Sequence, residues 1–290
     1  MSQQLDLLQQ RGLLVTDEEK ALKQLHSISY FRLASYWRIM EEPDSINHRF
    51  QPGSNLDEVI RLYLFDKKLR ILVFTSIQDI EIALRTRIIQ HFSLKYGAFW
   101  FMDAGLFKDK HIFQNCLENI QKEVSRSNED FLKEHFAKYD TPSLPPVWKT
   151  MEVVSFGTLS KLYCNFSDTE VKKEVARSFG LPQYLYLENW MKCASVLRNY
   201  CAHHTRLWNR RFPVMPHLPK KLPLAWIGIS ALRPIKLYAQ LCCLAYLEQS
   251  ICPNSDFKEE IIVLLCDKSQ TITKAMGFPT NWQEEPLWKA

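Results

Sequence analysis

From Leu56 to about Phe92 the chain runs without a glycine or a proline, and this stretch limits the available folds more than any other. Leu69, Leu72, Ser76, Ile80, Leu84 and Ile88 recur every three or four residues, with Ile77 and Glu81 beside them at i, i+4 spacing, which is the stripe of a helix or of two helices in tandem. Glycine is scarce in the whole chain, eight in 290 residues. Good helix formers abound and alternating β-branched runs are few, so the expected fold class is all-α. Glu81 falls near the buried face of this stretch. A carboxylate buried there without a partner would be costly, so a cation is expected beside it: Arg85 one turn later, or a basic residue of another helix such as Arg198.

Helical spacing recurs on both sides. Thr16 reads as an N-cap with Glu19 completing a capping box, and Ser29–Arg38 is aromatic and basic at helical spacing, stopping at Glu42-Pro43. Two short helices in tandem resemble a helix-turn-helix in outline, but the aromatics are read as packing onto the main body. Residues 96–107 read as a connection, 110–139 as helical, and 140–148 as a loop set by three prolines. Helical patterns return over 147–156, 159–166, 169–179, 185 to about 208, and 235–250, with four prolines between Arg211 and Pro223 ending the fourth of these. The eight cysteines lack C-x-x-C spacing and are read as reduced core residues. No basic leader precedes an apolar core at the start, and no run approaches eighteen apolar residues. A cytoplasmic protein with no membrane association is expected. The net charge of +5 suits a polyanionic partner but equally suits proteins with none.

Chemistry concentrates in Leu197-Arg-Asn-Tyr-Cys-Ala-His-His-Thr-Arg-Leu-Trp-Asn-Arg210. On a helical wheel Arg198, Asn199, Ala202, His203 and Arg206 share one arc, which Asn209 and Arg210 join if the helix persists; Leu197, Tyr200, Cys201, His204, Leu207 and Trp208 take the other. Arg198 offers a permanent cation able to hold a phosphate in bidentate fashion, and His203 an imidazole, the side chain whose ordinary pKa lies nearest neutrality. Asn199, one turn before His203, is placed to fix an imidazole tautomer or to bind a phosphate oxygen. His204 reads first as a packing or orienting residue, and after that as an RNA contact together with Arg206, Asn209, Arg210 and Arg85. For Arg206, Asn209 and Arg210 a solvated helix end accounts for the pattern as well as RNA contacts do.

The Arg198-Asn199-x-x-x-His203 segment resembles the R-x4-6-H signature of the HEPN superfamily. The longer string to Arg210, with Ile28–Trp37, Leu62–Asp66, Leu69-Arg70 and Ile80–Arg85, resembles the Abi-like (Abi_2) abortive-infection family, which includes AbiD and AbiF, over roughly residues 10–250. The resemblance implies a HEPN-type helical bundle: short N-terminal helices over 1–50, a helical domain over 51–250 and a C-terminal extension over 251–290. It also implies a metal-independent endoribonuclease with no cofactor, acting in abortive infection or toxin–antitoxin defence against phage. Cleavage would use Arg198, Asn199 and His203, with Glu81 in support, on an RNA substrate, and leave 2′,3′-cyclic phosphate and 5′-OH ends. A small noncoding RNA antitoxin is the implied restraint. Arg85 to His91 has R-x5-H spacing without the following amide, so the chain holds one convincing motif, and a homodimer is the simplest route to a two-motif site. Two rivals stand beside this reading: a noncatalytic RNA-binding HEPN protein, and a DNA-binding regulator using residues 16–40.

Overall fold

A computed structural model describes residues 1–43, 45–228 and 232–289. Among these residues the chain forms thirteen α-helices with short 3-10 turns and no β-strand, as the composition and spacing predict. It divides into two compact units, Met1–Ile71 and Leu72–Ala290.

The first unit holds α1 (Ser2–Gln10), α2 (Glu18–Ile28), α3 (Tyr30–Trp37) and the first turns of α4 (Leu56–Tyr96). The N-cap of α2 is Asp17 rather than Thr16: its carboxylate accepts the Lys20 N–H at 2.9 Å, while the Thr16 hydroxyl donates to Asp57 at 3.0 Å. Ser29, at φ 71°, closes α2 and caps α3. Tyr36 and Trp37 of α3 lie in the core of their own unit, whereas Phe31 is 85% exposed, so the expectation that these aromatics pack inward is corrected for Phe31. Trp37 lies edge-on to Tyr30 at 5.0 Å and to Phe50 at 6.3 Å, and the buried Tyr36 hydroxyl donates to Asp66 at 2.6 Å, where Arg70 also binds.

The long apolar stripe is one helix of 41 residues, α4, about 60 Å end to end at 1.5 Å per residue. Asn55 caps it by accepting the Glu58 N–H at 2.8 Å, with Asp57 and Glu58 in the first turn complementing the helix dipole. It stops where Gly97 takes φ 78°, a left-handed conformation that costs glycine nothing. Val73, Ser76, Ile77, Ile80, Leu84, Ile88 and Phe92 are buried along it, whereas Leu72 is half-exposed.

The second unit contains the rest of α4 and then α5 (Lys110–Arg126), α6 (Asp130–Phe136), α7 (Val147–Val153), α8 (Phe156–Asn165), α9 (Thr169–Ser178), α10 (Tyr184–Ala202), α11 (Leu237–Ile251), α12 (Phe257–Leu265) and α13 (Gln270–Ala275). The connection before α5 is part of the core: the Phe166 ring sits 4.3 Å from Phe92, 5.6 Å from Trp100 and 5.2 Å from Phe107. Helix α10 packs on α8, α9 and α11, and α11 is buried at every residue from Leu237 to Glu248. One buried cation ties three of these helices: Lys172 of α9 donates to the carbonyls of Cys164 at 3.1 Å and Phe166 at 3.2 Å and pairs with Glu188 of α10. All eight cysteines are free thiols, but Cys252 and Cys266 are exposed and Cys164 is half-buried, so the expectation of eight core cysteines is corrected for these three. No helix among the described residues is long and apolar enough to cross a membrane.

Candidate functional site

Helix α10 carries the motif on its last two turns. Leu187, Trp190, Met191, Ala194, Leu197 and Cys201 are buried against the neighbouring helices, which leaves Asn199 and His203 exposed and Arg198 half-buried at the edge. The division into apolar and polar arcs therefore holds up to the end of the helix. That end comes earlier than the spacing predicts.

The helix stops at Ala202, and residues 203–208 do not continue it to Trp208. His203 is the C-cap, at φ −88° and ψ 14°, with its N–H on the Asn199 carbonyl at 3.0 Å. His204 follows at φ 55°, its N–H reaching the Cys201 carbonyl at 3.0 Å, and the Thr205 N–H reaches back to the Tyr200 carbonyl at 2.8 Å. These two bonds form a Schellman motif, the usual stop of a helix, with histidine in the left-handed position that glycine most often takes. His204 is thus exposed at a turn and does not lie on an apolar face as the wheel places it. A side chain at positive φ carries a steric cost that glycine escapes and a β-branched residue feels most. His204→Gly is therefore expected to be more stable than His204→Val by about 1–2 kcal/mol in urea unfolding. Because both variants lose the imidazole, equal stabilities would mean that the backbone at 204 is not under this constraint.

Beyond the turn the chain folds back, so the wheel positions of Arg206, Asn209 and Arg210 do not apply. Leu207 and Trp208 are fully buried, and the indole N–H donates to the Ile272 carbonyl at 3.3 Å. Asn209, at φ 49°, accepts from the Lys236 ammonium at 3.0 Å. The Arg210 Nε donates to the Arg206 carbonyl at 2.6 Å, and its guanidinium stacks 4.5 Å from the centre of the Tyr200 ring on α10. The Arg206 guanidinium lies 5.9 Å from the Trp208 ring.

At the motif itself, Arg198 Nη1 approaches Asn199 Oδ1 at 3.5 Å. No hydrogen bond among the described residues joins the Asn199 amide to the His203 ring, and no ion pair or hydrogen bond holds that imidazole. It faces solvent with both ring nitrogens available for proton transfer.

Glu81 and Arg85 form their own pair. Arg85 is only 8% exposed; its Nη2 binds Glu81 Oε1 at 2.8 Å and its Nη1 donates to the Val154 carbonyl at 2.9 Å. Of the two cations expected beside Glu81, the structure supplies Arg85 and not Arg198. A guanidinium buried and bonded on two sides is poorly placed to meet an RNA strand, which counts against the RNA role expected of Arg85. The R-x5-H spacing from Arg85 to His91 is also committed elsewhere, since His91 Nδ1 lies 3.5 Å from Glu174. Among the described residues, no group of three His, Cys, Asp or Glu side chains is arranged to hold a metal ion.

No curated protein and no solved structure matches this chain. A family model described as Abi-like protein matches residues 23–209, which takes in the second half of α2, all of α3 to α10, the Schellman turn and the tail as far as Asn209. That match covers well over half of the chain and narrows the resemblance from residues 10–250 to its central part. The motif helix, its turn and the all-helical fold around them belong to a member of the Abi-like family, whose name ties it to abortive infection.

Proposed function

We propose that the protein is a metal-independent endoribonuclease of abortive-infection defence, in which His203 and Arg198 carry the chemistry. The observation that supports this reading most is the state of His203: an exposed imidazole with no bond to either nitrogen among the described residues, at the end of a helix whose preceding turn presents Asn199 and Arg198. His203 removes the proton from a ribose 2′-OH, and the 2′-oxygen attacks the adjacent phosphorus. Arg198 stabilises the charge that builds on the phosphorane, and the bond to the 5′-oxygen breaks as that oxygen takes up a proton. The products carry a 2′,3′-cyclic phosphate and a 5′-OH. Asn199 orients the phosphate or the imidazole. Glu81, engaged with Arg85, acts on the site only through the packing of α4 and is a positioning residue at most.

One motif per chain leaves the acid and the base to be shared between two copies, so the active species is a homodimer with its motif helices face to face. A toxin of this kind is held in check until infection, and a small RNA is the restraint that suits a basic, polar helix end. Its place of action is the cytoplasm, where its RNA substrate is.

The test uses a labelled single-stranded RNA and the same oligonucleotide carrying one 2′-deoxy sugar at the cleaved position. Cleavage of the first, none of the second at that position, a cyclic phosphate found by mass spectrometry and no effect of EDTA are the expected results. Cutting at the deoxy position or a strict need for a divalent ion would overturn the mechanism. If the protein binds this RNA but does not cut it, a noncatalytic RNA-binding role takes its place.

A further inference from the structure

Four cations gather where the tail of α10 meets the segment leading into α11. The Phe212 N–H donates to the Ile235 carbonyl at 2.9 Å and its ring lies 5.9 Å from Tyr200, so residues 209–212 run beside 233–236 at the end of the motif helix. Lys236 is fixed at the centre: its ammonium donates to Asn209 Oδ1 at 3.0 Å and to the Ala275 carbonyl at 2.9 Å, both neutral oxygens. Its stem is clamped as well. Gly277, at φ 89°, approaches so closely that a Cβ there would come within 2.5 Å of the Lys236 Cβ.

Burial lowers the Lys236 ammonium below its ordinary pKa, and Arg211, Arg233 and Arg206 lower it further, with no carboxylate among the described residues raising it. Arg211 and Arg233 are exposed, and neither has an ion-pair partner among the described residues. Folding has therefore brought like charges together around Lys236 against their repulsion. A cluster of that kind gains most from a bound polyanion. Its cations are spread along two neighbouring segments, which suits an anion that repeats along a strand more than a single small ion.

We propose that Arg211, Arg233 and Lys236, with Arg206 beside them, form a platform for the phosphates of a single-stranded RNA adjoining the one presented to His203. The proposal rests on the ribonuclease reading for the identity of the strand, and extends it from the scissile phosphate to its neighbours. Asn209 then serves the site indirectly, as the residue that holds Lys236 in place.

The test measures fluorescence anisotropy of a labelled, fully 2′-O-methylated RNA, which cannot be cut by attack of its 2′-oxygen, against salt concentration. The wild type is compared with Arg211→Glu/Arg233→Glu and Arg211→Gln/Arg233→Gln, each first checked for an unchanged melting temperature. Removing one cation that neutralises a phosphate of a single strand lowers the slope of log K against log salt by about 0.7, so both double variants should flatten it by about 1.4. The charge reversal should also weaken binding at least about tenfold near physiological salt. An unchanged slope and affinity in folded variants, or no binding of this RNA by the wild type, would overturn the platform. So would equal competition by polyglutamate, which would assign the surface to an acidic protein. Retained platform binding with no cleavage of ordinary RNA would sink the ribonuclease reading alone, and His203-dependent cleavage indifferent to both double variants would sink the platform alone.

Discussion

His203→Ala is expected to slow RNA cleavage by about 10² to 10⁴-fold, the usual loss when one general acid or base is removed, while leaving the melting temperature unchanged. The two halves of this expectation come from different observations. The loss of rate follows from the imidazole being the only proton-transfer group that the exposed end of α10 presents without a partner among the described residues. The unchanged stability follows from what the substitution spares: the N–H of residue 203 still reaches the Asn199 carbonyl, the Schellman bonds of residues 204 and 205 are made by backbone, and an exposed side chain with no partner is worth little to the fold. Arg198→Lys sharpens the test, because an ammonium keeps the charge but loses the fork that grips two phosphate oxygens, and a substantial loss of rate is expected there too. Wild-type cleavage by His203→Ala would remove His203 from the mechanism, and with it the central claim about this helix end.

The elements most legible in the sequence were those set by long periodicity. The unbroken pattern from Leu56 to about Phe92 leaves one helix or two open, and it falls four residues short of the single helix's end at Tyr96, where Gly97 stops it in the usual way. The end of α10 was not legible for the converse reason: its stop is a histidine in a left-handed conformation, and nothing in His203-His204-Thr205 distinguishes a terminating pair from a continuing one until the backbone is seen. The apolar residues of the tail, Leu207 and Trp208, are nevertheless buried as hydrophobicity alone requires, although not on a helix. The N-cap of α2 falls one residue beyond the Thr16 that the capping-box spacing predicts: the Asp17 carboxylate accepts the Lys20 N–H, and the Thr16 hydroxyl donates to Asp57, 41 positions away. Helices α12 and α13 are short and carried no reading of their own. Arg211, Arg233 and Lys236 could not be grouped from sequence at all, since proline-rich chain separates the first from the other two, and the bonds of Phe212 to Ile235 and of Lys236 to Asn209 are what bring the two segments together.

Arg85→Ala is expected to cost about 3 kcal/mol of folding free energy, the lower part of the range for breaking a buried ion pair from one side. The geometry supplies two separate penalties. The Glu81 carboxylate, 17% exposed, loses its only ion-pair partner among the described residues, and the Val154 carbonyl loses the donor that Arg85 brings to it at 2.9 Å. Replacing both charges together, as in Glu81→Leu/Arg85→Met, should restore much of the loss, because the uncompensated carboxylate is then gone and the stems fill similar volume. Glu81→Gln separates structure from catalysis. Its amide oxygen still accepts from Arg85, so stability should fall by less than in Arg85→Ala, and a cleavage rate that drops in this folded variant would mean that the charge at 81 positions the site. Urea unfolding of the four proteins decides the matter. If Arg85→Ala instead keeps its full stability and weakens binding of the 2′-O-methylated RNA, the guanidinium is a ligand-binding group and the buried pair is not what holds α4 to the turn after α7.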